Sequence, residues 1–228
     1  MIYPVRFSIR VKAVVRFACS AILALPFLLS APQAEAQITA TAPEPVPAQY
    51  MNRWDIYGGA QYSHFNPSAG RNFPATNLLG WTAGATAYFR PVWGIEASVR
   101  EIYGTMDAPP NQYNIVNPKM SEALFLFGPT FRLRRRTRYD AGLHALVGAA
   151  YGSFDKDFPA GVSPNQIGVY NNKLAFGSAF GAFADYILTT RLAVKFVADY
   201  QPTRYGYATQ NEFAGSVGIV YKFGSLAK

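Results

Sequence analysis

The chain has 228 residues, 21 basic side chains against 13 acidic ones and a formal charge of +8 at neutral pH; half of it is hydrophobic, and it holds one cysteine and two histidines. One cysteine excludes a disulfide framework and a thiolate metal site, and two histidines are too few for a histidine-rich one. The length suits a single domain.

In chain order, the first element is an export signal. Residues 1–36 start with Arg6, Arg10, Lys12 and Arg16, continue in the apolar run Phe17–Ala31 and end in small residues at Ala34 and Ala36. This is the layout of a signal peptide cleaved before Gln37. The apolar run is interrupted by Pro26 and falls short of the roughly 20 residues of a spanning helix. Cys19 precedes most of that run, the wrong side for a lipidation site. Without the signal the charge falls from +8 to +5, because four basic residues and Glu35 leave with it. Residues 37–53, rich in proline and alanine, read as an extended periplasmic leader.

From Trp54 onward the pattern is alternation of period two, in segments bounded by Gly, Pro, Asn and Asp. Eight strands are predicted, at 54–64, 80–90, 92–104, 119–133, 137–152, 173–186, 189–201 and 211–223. Their connections alternate in length. Short ones lie at 90–92, 134–136 and 188–190, and long ones at 66–79, 105–118, 153–172 and 202–210. That regular alternation predicts an all-β fold, an eight-stranded antiparallel up-and-down transmembrane β-barrel over 54–224 with short periplasmic turns and long extracellular loops. Residues 225–228 form a short tail.

Within each strand one parity is bulky and apolar, as in Trp93, Ile95, Ala97 and Val99 or Phe125, Phe127 and Phe131. The other parity carries nearly all the strand charges and many glycines, among them Gly84, Gly94, Gly128, Gly142, Gly148, Gly177, Gly181 and Gly218. Alternation alone leaves open which side is inside. An eight-stranded interior is only just wide enough for its side chains, so the bulky face is assigned outward, to lipid. Trp54, Tyr62, Trp81, Phe89, Trp93, Tyr139, Tyr151, Tyr186, Tyr200, Tyr221 and Phe223 fall near strand ends, where interfacial aromatic girdles belong.

Charges on the inward parity must pair, since an unpaired buried charge costs several kcal/mol. The expected interior network is Asp55, Glu96, Glu122, Asp140, Asp185 and Asp199 against Arg90, Arg100, Arg132, Arg191, Lys195 and Lys222, with His144 among them. Six acids face six bases, which reads as a salt-bridged plug. Asp55, Arg90, Arg132, Asp140, Asp185, Arg191 and Lys222 are expected toward the periplasmic turns, and Glu96, Arg100, His144 and Lys195 higher. A narrow or gated pore for small solutes lined by the same residues is the alternative.

Two further readings are weaker. A lipid-modifying outer-membrane enzyme needs a Ser, His and acid constellation; His64 and Ser63 are adjacent in a strand and point to opposite sides, and His144 has no serine partner. No catalytic, cofactor or metal residue is assigned. The second is a soluble periplasmic barrel binding a lipid, which needs the bulky parity inside. "RLRRRTR" at 132–138 resembles a nucleic-acid patch, but in an exported chain it reads as a basic turn facing anionic headgroups, a periplasmic polymer or solvent.

The stretches "WDIYGGAQYSHF", "WGIEASVR", "FLFGPTFRLR", "AFGAFADYILTTRLAVKFVADY" and "FAGSVGIVYKFG" together resemble the small outer-membrane β-barrel family that includes OmpA-like transmembrane domains and opacity-type surface proteins. The resemblance implies a monomeric structural or surface protein of the bacterial outer membrane, without enzymatic activity, that anchors or adheres. Its partners would be outer-membrane lipids and, during insertion, periplasmic chaperones and the barrel assembly machinery, with no nucleic acid and no cofactor. Two features depart from the family: "GSLAK" follows the terminal aromatic Phe223, and no peptidoglycan-binding domain follows the barrel.

Overall fold

The computed structural model describes residues 51–67, 73–135, 138–171, 173–206 and 209–226. The expected signal peptide and all but the last three residues of the expected leader lie outside the described residues, as do positions 136 and 137 of the basic turn.

Eight long antiparallel strands close on themselves. They are β1 (Asn52–Asn66), β2 (Thr76–Tyr88), β3 (Trp93–Thr105), β4 (Lys119–Arg135), β5 (Tyr139–Ser153), β6 (Leu174–Ile187), β7 (Leu192–Tyr200) and β9 (Asn211–Ser225), with a two-residue β8 (Thr203–Arg204) in the last long loop. Each long strand pairs with the next long strand along the chain, β7 with β9, while β8 pairs with β6; β9 pairs with β1 from Asn52↔Ser225 to Asn66↔Asn211 to shut the barrel. Among the described residues closure leaves no long edge whose N–H and C=O groups would go unpaired in lipid.

The connections alternate as the sequence predicts, so one rim carries turns and the other carries loops. The β2–β3 turn closes with Phe89 and Arg90 N–H donating to the Trp93 carbonyl, and the β6–β7 turn with Leu188 and Thr189 N–H donating to the Leu192 carbonyl. At the loop rim the β5–β6 connection contains a single 3-10 turn, Pro164–Ile167, closed by Gly168 at φ 91°, a left-handed conformation that glycine adopts without a Cβ clash. Strand β2 starts four residues earlier than expected, because Thr76–Leu79 pair with Phe65–Tyr62 of β1.

Parity sorts the side chains. Phe125, Phe127 and Phe176 stand 54–60% exposed on the outer wall, whereas Asp55, Leu124, Glu122 and Leu146 are fully buried in the lumen. The outward aromatics form two belts. Trp54, Trp93, Tyr139, Tyr186, Tyr221 and Phe223 at the turn ends of their strands and Phe89 in the β2–β3 turn form one belt, and Tyr62, Trp81, Tyr103, Tyr151 and Tyr200 lie toward the loop end. Trp93 and Tyr103 of β3 are ten residues apart, about 33 Å along a strand at ~3.3 Å per residue. A tilt of about 40° projects that to roughly 25 Å, the height of the apolar band of outer-membrane barrels.

Candidate functional site: the filled lumen

Among the described residues the lumen is where titratable side chains concentrate, and it is layered. At the turn end, Lys222 of β9 donates to Asp140 of β5 at 3.0 Å and to Asp185 of β6 at 2.6 Å. Lys195 of β7 lies 3.7 Å from the other oxygen of Asp185, with its ammonium over the rings of Phe183 (4.3 Å) and Tyr57 (4.9 Å). Arg132 of β4 reaches Asp55 at 3.4 Å and stacks its guanidinium 3.8 Å from the Tyr88 ring, so aromatic faces take up charge that carboxylates do not. Asn52 also donates to Asp55.

The middle layer is one connected chain of hydrogen bonds. Tyr57 donates to Glu96 at 2.9 Å, and His144 sits between Glu96 (3.1 Å from Nδ1) and Asp199 (2.7 Å from Nε2). With a carboxylate against each ring nitrogen, the arrangement suits an imidazolium donating from both. Arg100 donates to Asp199 and to Gln201. Gln201 passes the chain on to Glu212 at 2.8 Å, which also accepts from Ser63. Above this layer Tyr205, from the last loop, donates to Glu122 at 2.9 Å.

The loop half of the lumen holds an apolar cluster around these last polar groups, Ser63, Glu122, Gln201 and Glu212. Leu78, Ile102, Met120, Leu124, Leu126 and Leu146 share the inward parity with the charges and pack under Phe154, Ile167 and Val169 from the loops. Phe154, Tyr170 and Tyr205 form a lid of three mutually contacting rings with centroids 5.2–6.1 Å apart. The Tyr170 hydroxyl ties that lid to the first loop by donating to the Pro67 carbonyl at 2.7 Å.

Inward glycines make room for the large interior groups. A Cβ on Gly84 would meet the Tyr57 ring at 2.6 Å, one on Gly142 would meet Phe183, and one on Gly181 would meet Asp199.

The structure brings Asp55, Glu96, Glu122, Arg132, Arg100, Asp140, His144, Asp185, Lys195, Asp199 and Lys222 into the lumen, and it corrects three sequence expectations. Arg90 and Arg191 are exposed: the chain leaves β2 at Tyr88 ahead of Pro91 and enters β7 only at Leu192, so both arginines fall in turns. With these two gone and Glu212 added, seven buried acids face four buried Lys and Arg plus His144 among the described residues, so the interior is not balanced six against six. Glu122 and Glu212 accept from neutral hydroxyl and amide donors instead. Lys195, expected higher, joins the turn-end layer through Asp185. Glu212, Tyr57, Tyr88 and Gln201 were not singled out from the sequence, although parity alone places Tyr57, Tyr88 and Glu212 inward.

Among the described residues neither histidine sits in a Ser, His and acid arrangement. His64 is exposed with Nδ1 2.9 Å from Asn77 Oδ1, while Ser63 points inward to Glu212. Among the described residues no group of three or more His, Cys, Asp and Glu is placed to hold a metal ion. The side chains of 134–137 in the basic turn lie outside the described residues.

An apolar outer wall, two aromatic belts and a packed ionic interior define a small transmembrane β-barrel. No protein-family model matches the chain, and no curated protein matches it by sequence. Among solved structures the chain is similar to the outer membrane protein OprG from Pseudomonas aeruginosa, 14% identical with a TM-score of 0.51 over 78% of this chain and 99% of that one. It is also similar to Ail, the attachment invasion locus protein of Yersinia pestis, 16% identical with a TM-score of 0.50 over 75% of this chain and 99% of that one. At such identities the likeness is one of fold.

Proposed function

We propose that the protein is a non-enzymatic structural and surface barrel of the bacterial outer membrane, monomeric, exported by a cleaved signal peptide and inserted by the barrel assembly machinery with periplasmic chaperones. Its turns face the periplasm and its loops the exterior, where loops 67–75, 106–118 and 154–173 carry any interaction or adhesion. The single observation that carries this reading is the filled lumen. A water-filled pore leaves its lining accessible, whereas Asp55, Glu96, Arg100, Leu124, Leu126 and Leu146 are 0–3% exposed at successive depths of the barrel. An outward wall of Phe125, Phe127 and Phe176 supports lipid, not a soluble lipid carrier, as the surrounding phase. OprG is described as an outer membrane protein and Ail as an attachment invasion locus protein, which agrees with a surface role.

The test combines fractionation, gel mobility before and after boiling, and planar-bilayer recording. The expected result is an outer-membrane protein whose band shifts on boiling and which shows no steady conductance. A soluble periplasmic protein without a shift refutes the membrane reading, and a steady open-channel current replaces the structural role by that of a pore.

A further inference from the structure

The two rims differ in charge. At the loop rim both signs are exposed: Lys119 pairs with Asp157 at 3.3 Å and Lys173 with Asp155 at 2.9 Å. At the turn rim the exposed charges among the described residues are Arg53, Arg90, Arg138 and Arg191, and every acid at that end, Asp55, Asp140 and Asp185, is buried in the lumen. The four arginines come from the start of β1 and from each of the three turns, so they are spread around the circumference. Turns two strands apart are separated by roughly 10 Å at about 4.8 Å per strand.

Their backbones are held. The Arg90 N–H donates to the Trp93 carbonyl at 3.2 Å, the Arg138 carbonyl accepts from Ile187 N–H at 2.9 Å, and the Arg191 carbonyl accepts from Lys222 N–H at 2.7 Å. Three of them also adjoin the aromatic belt in sequence, at Trp54, Phe89 and Tyr139, and Arg53 lies 5.9 Å from the Trp54 ring. Such a belt sits at headgroup level, which puts the next residue outward at the depth of the phosphates. Guanidinium groups bind phosphate by paired hydrogen bonds.

We propose that the turn rim is a binding collar for anionic phospholipid headgroups of the leaflet that faces the turns. A discrete soluble ligand would meet one or two of these arginines, since they are spread around the circumference of the barrel; annular lipids meet all four. The collar fixes the depth and tilt of the barrel by electrostatics, where the aromatic belt alone would fix them by polarity. This inference rests on the membrane reading above.

The test measures spin-labelled phosphatidylglycerol against spin-labelled phosphatidylcholine on the full barrel in phosphatidylcholine vesicles. The wild type should prefer phosphatidylglycerol, by roughly fivefold at a lipid site served by one arginine, and lose the preference as salt is raised. R53Q/R90Q/R138Q/R191Q should bring the ratio close to one, and the pair R90Q/R191Q should lower it by an intermediate amount. K119Q/K156Q/K173Q/R204Q, which removes as much charge from the loop rim, should leave it unchanged. A wild-type ratio of one, or a ratio the turn-rim variants do not lower, overturns the collar. Inorganic polyphosphate bound through the same arginines without any lipid preference overturns it in favour of a soluble polyanion. Gel mobility on the same samples separates the two claims: a boiling-dependent shift with no lipid preference ends the collar alone, and no shift ends the barrel reading as well.

Discussion

The turn half and the loop half of the lumen are filled by different means. Below, Lys222, Lys195 and Arg132 are interleaved with Asp55, Asp140 and Asp185, all nearly inaccessible to water. Above, Leu78, Ile102, Leu124, Leu126 and Leu146 meet loop residues Phe154, Ile167 and Val169. The difference teaches how a narrow barrel is closed twice. Apolar packing tolerates small losses in proportion to volume, whereas an ionic cluster fails abruptly when one member is removed, because its partners are left charged in a place water cannot reach.

The largest effect should therefore come from the ionic half. Lys222→Met leaves Asp140 and Asp185 without their shared ammonium and should cost about 3–5 kcal/mol of barrel stability, read as the urea midpoint of refolding into bilayers. Adding Asp185→Asn should recover part of the loss; if the double variant is less stable than the single one, the charge argument for this layer is wrong. In the apolar half, Leu124→Ala should cost about 2–4 kcal/mol through a cavity under the loops. No charge substitution nearby should rescue it, whereas a neighbouring Ala150→Leu that refills volume should. Gly84→Ala comes next, at about 1–3 kcal/mol, because its Cβ would displace the Tyr57 ring and with it the donor to Glu96. Tyr57→Phe would then lose less in the Gly84→Ala background than in the wild type.

Much of this was legible in the sequence, but depth was not. The period-two pattern located all eight long strands, and β3, expected at 92–104, runs Trp93–Thr105. Strand β2 was displaced because "PATNLL" looks like loop while its Thr76–Leu79 continue the ladder opposite β1. Running β2 past Tyr88 to residue 90 put Arg90 on the inward parity. Parity says which side of a wall a residue occupies and nothing about its level, so Leu124 and Leu146 shared a parity with Arg132 and Asp140 without showing that the barrel separates them into layers. Nor does parity reveal loop partners: Tyr205, 83 positions from Glu122, reaches it only because the last loop folds over the rim.

The smallest effect sharpens the comparison most, because it holds chemistry and distance fixed and changes only the surroundings. Lys222 and Asp140 are 3.0 Å apart with side chains 5% and 1% exposed; Lys119 and Asp157 are 3.3 Å apart with side chains 66% and 42% exposed. In water the attraction is weak, ordering two side chains opposes it, and salt screens what remains, so an exposed pair contributes about 0–1 kcal/mol. Lys119→Ala should shift the urea midpoint little, and 1 M salt should erase even that shift. The Lys222→Met penalty should persist in 1 M salt, since counterions reach a buried pair no better than water does. A Lys119→Ala loss as large as that of Lys222→Met would mean that the loop lid is anchored by its surface charges and not by the apolar layer beneath it.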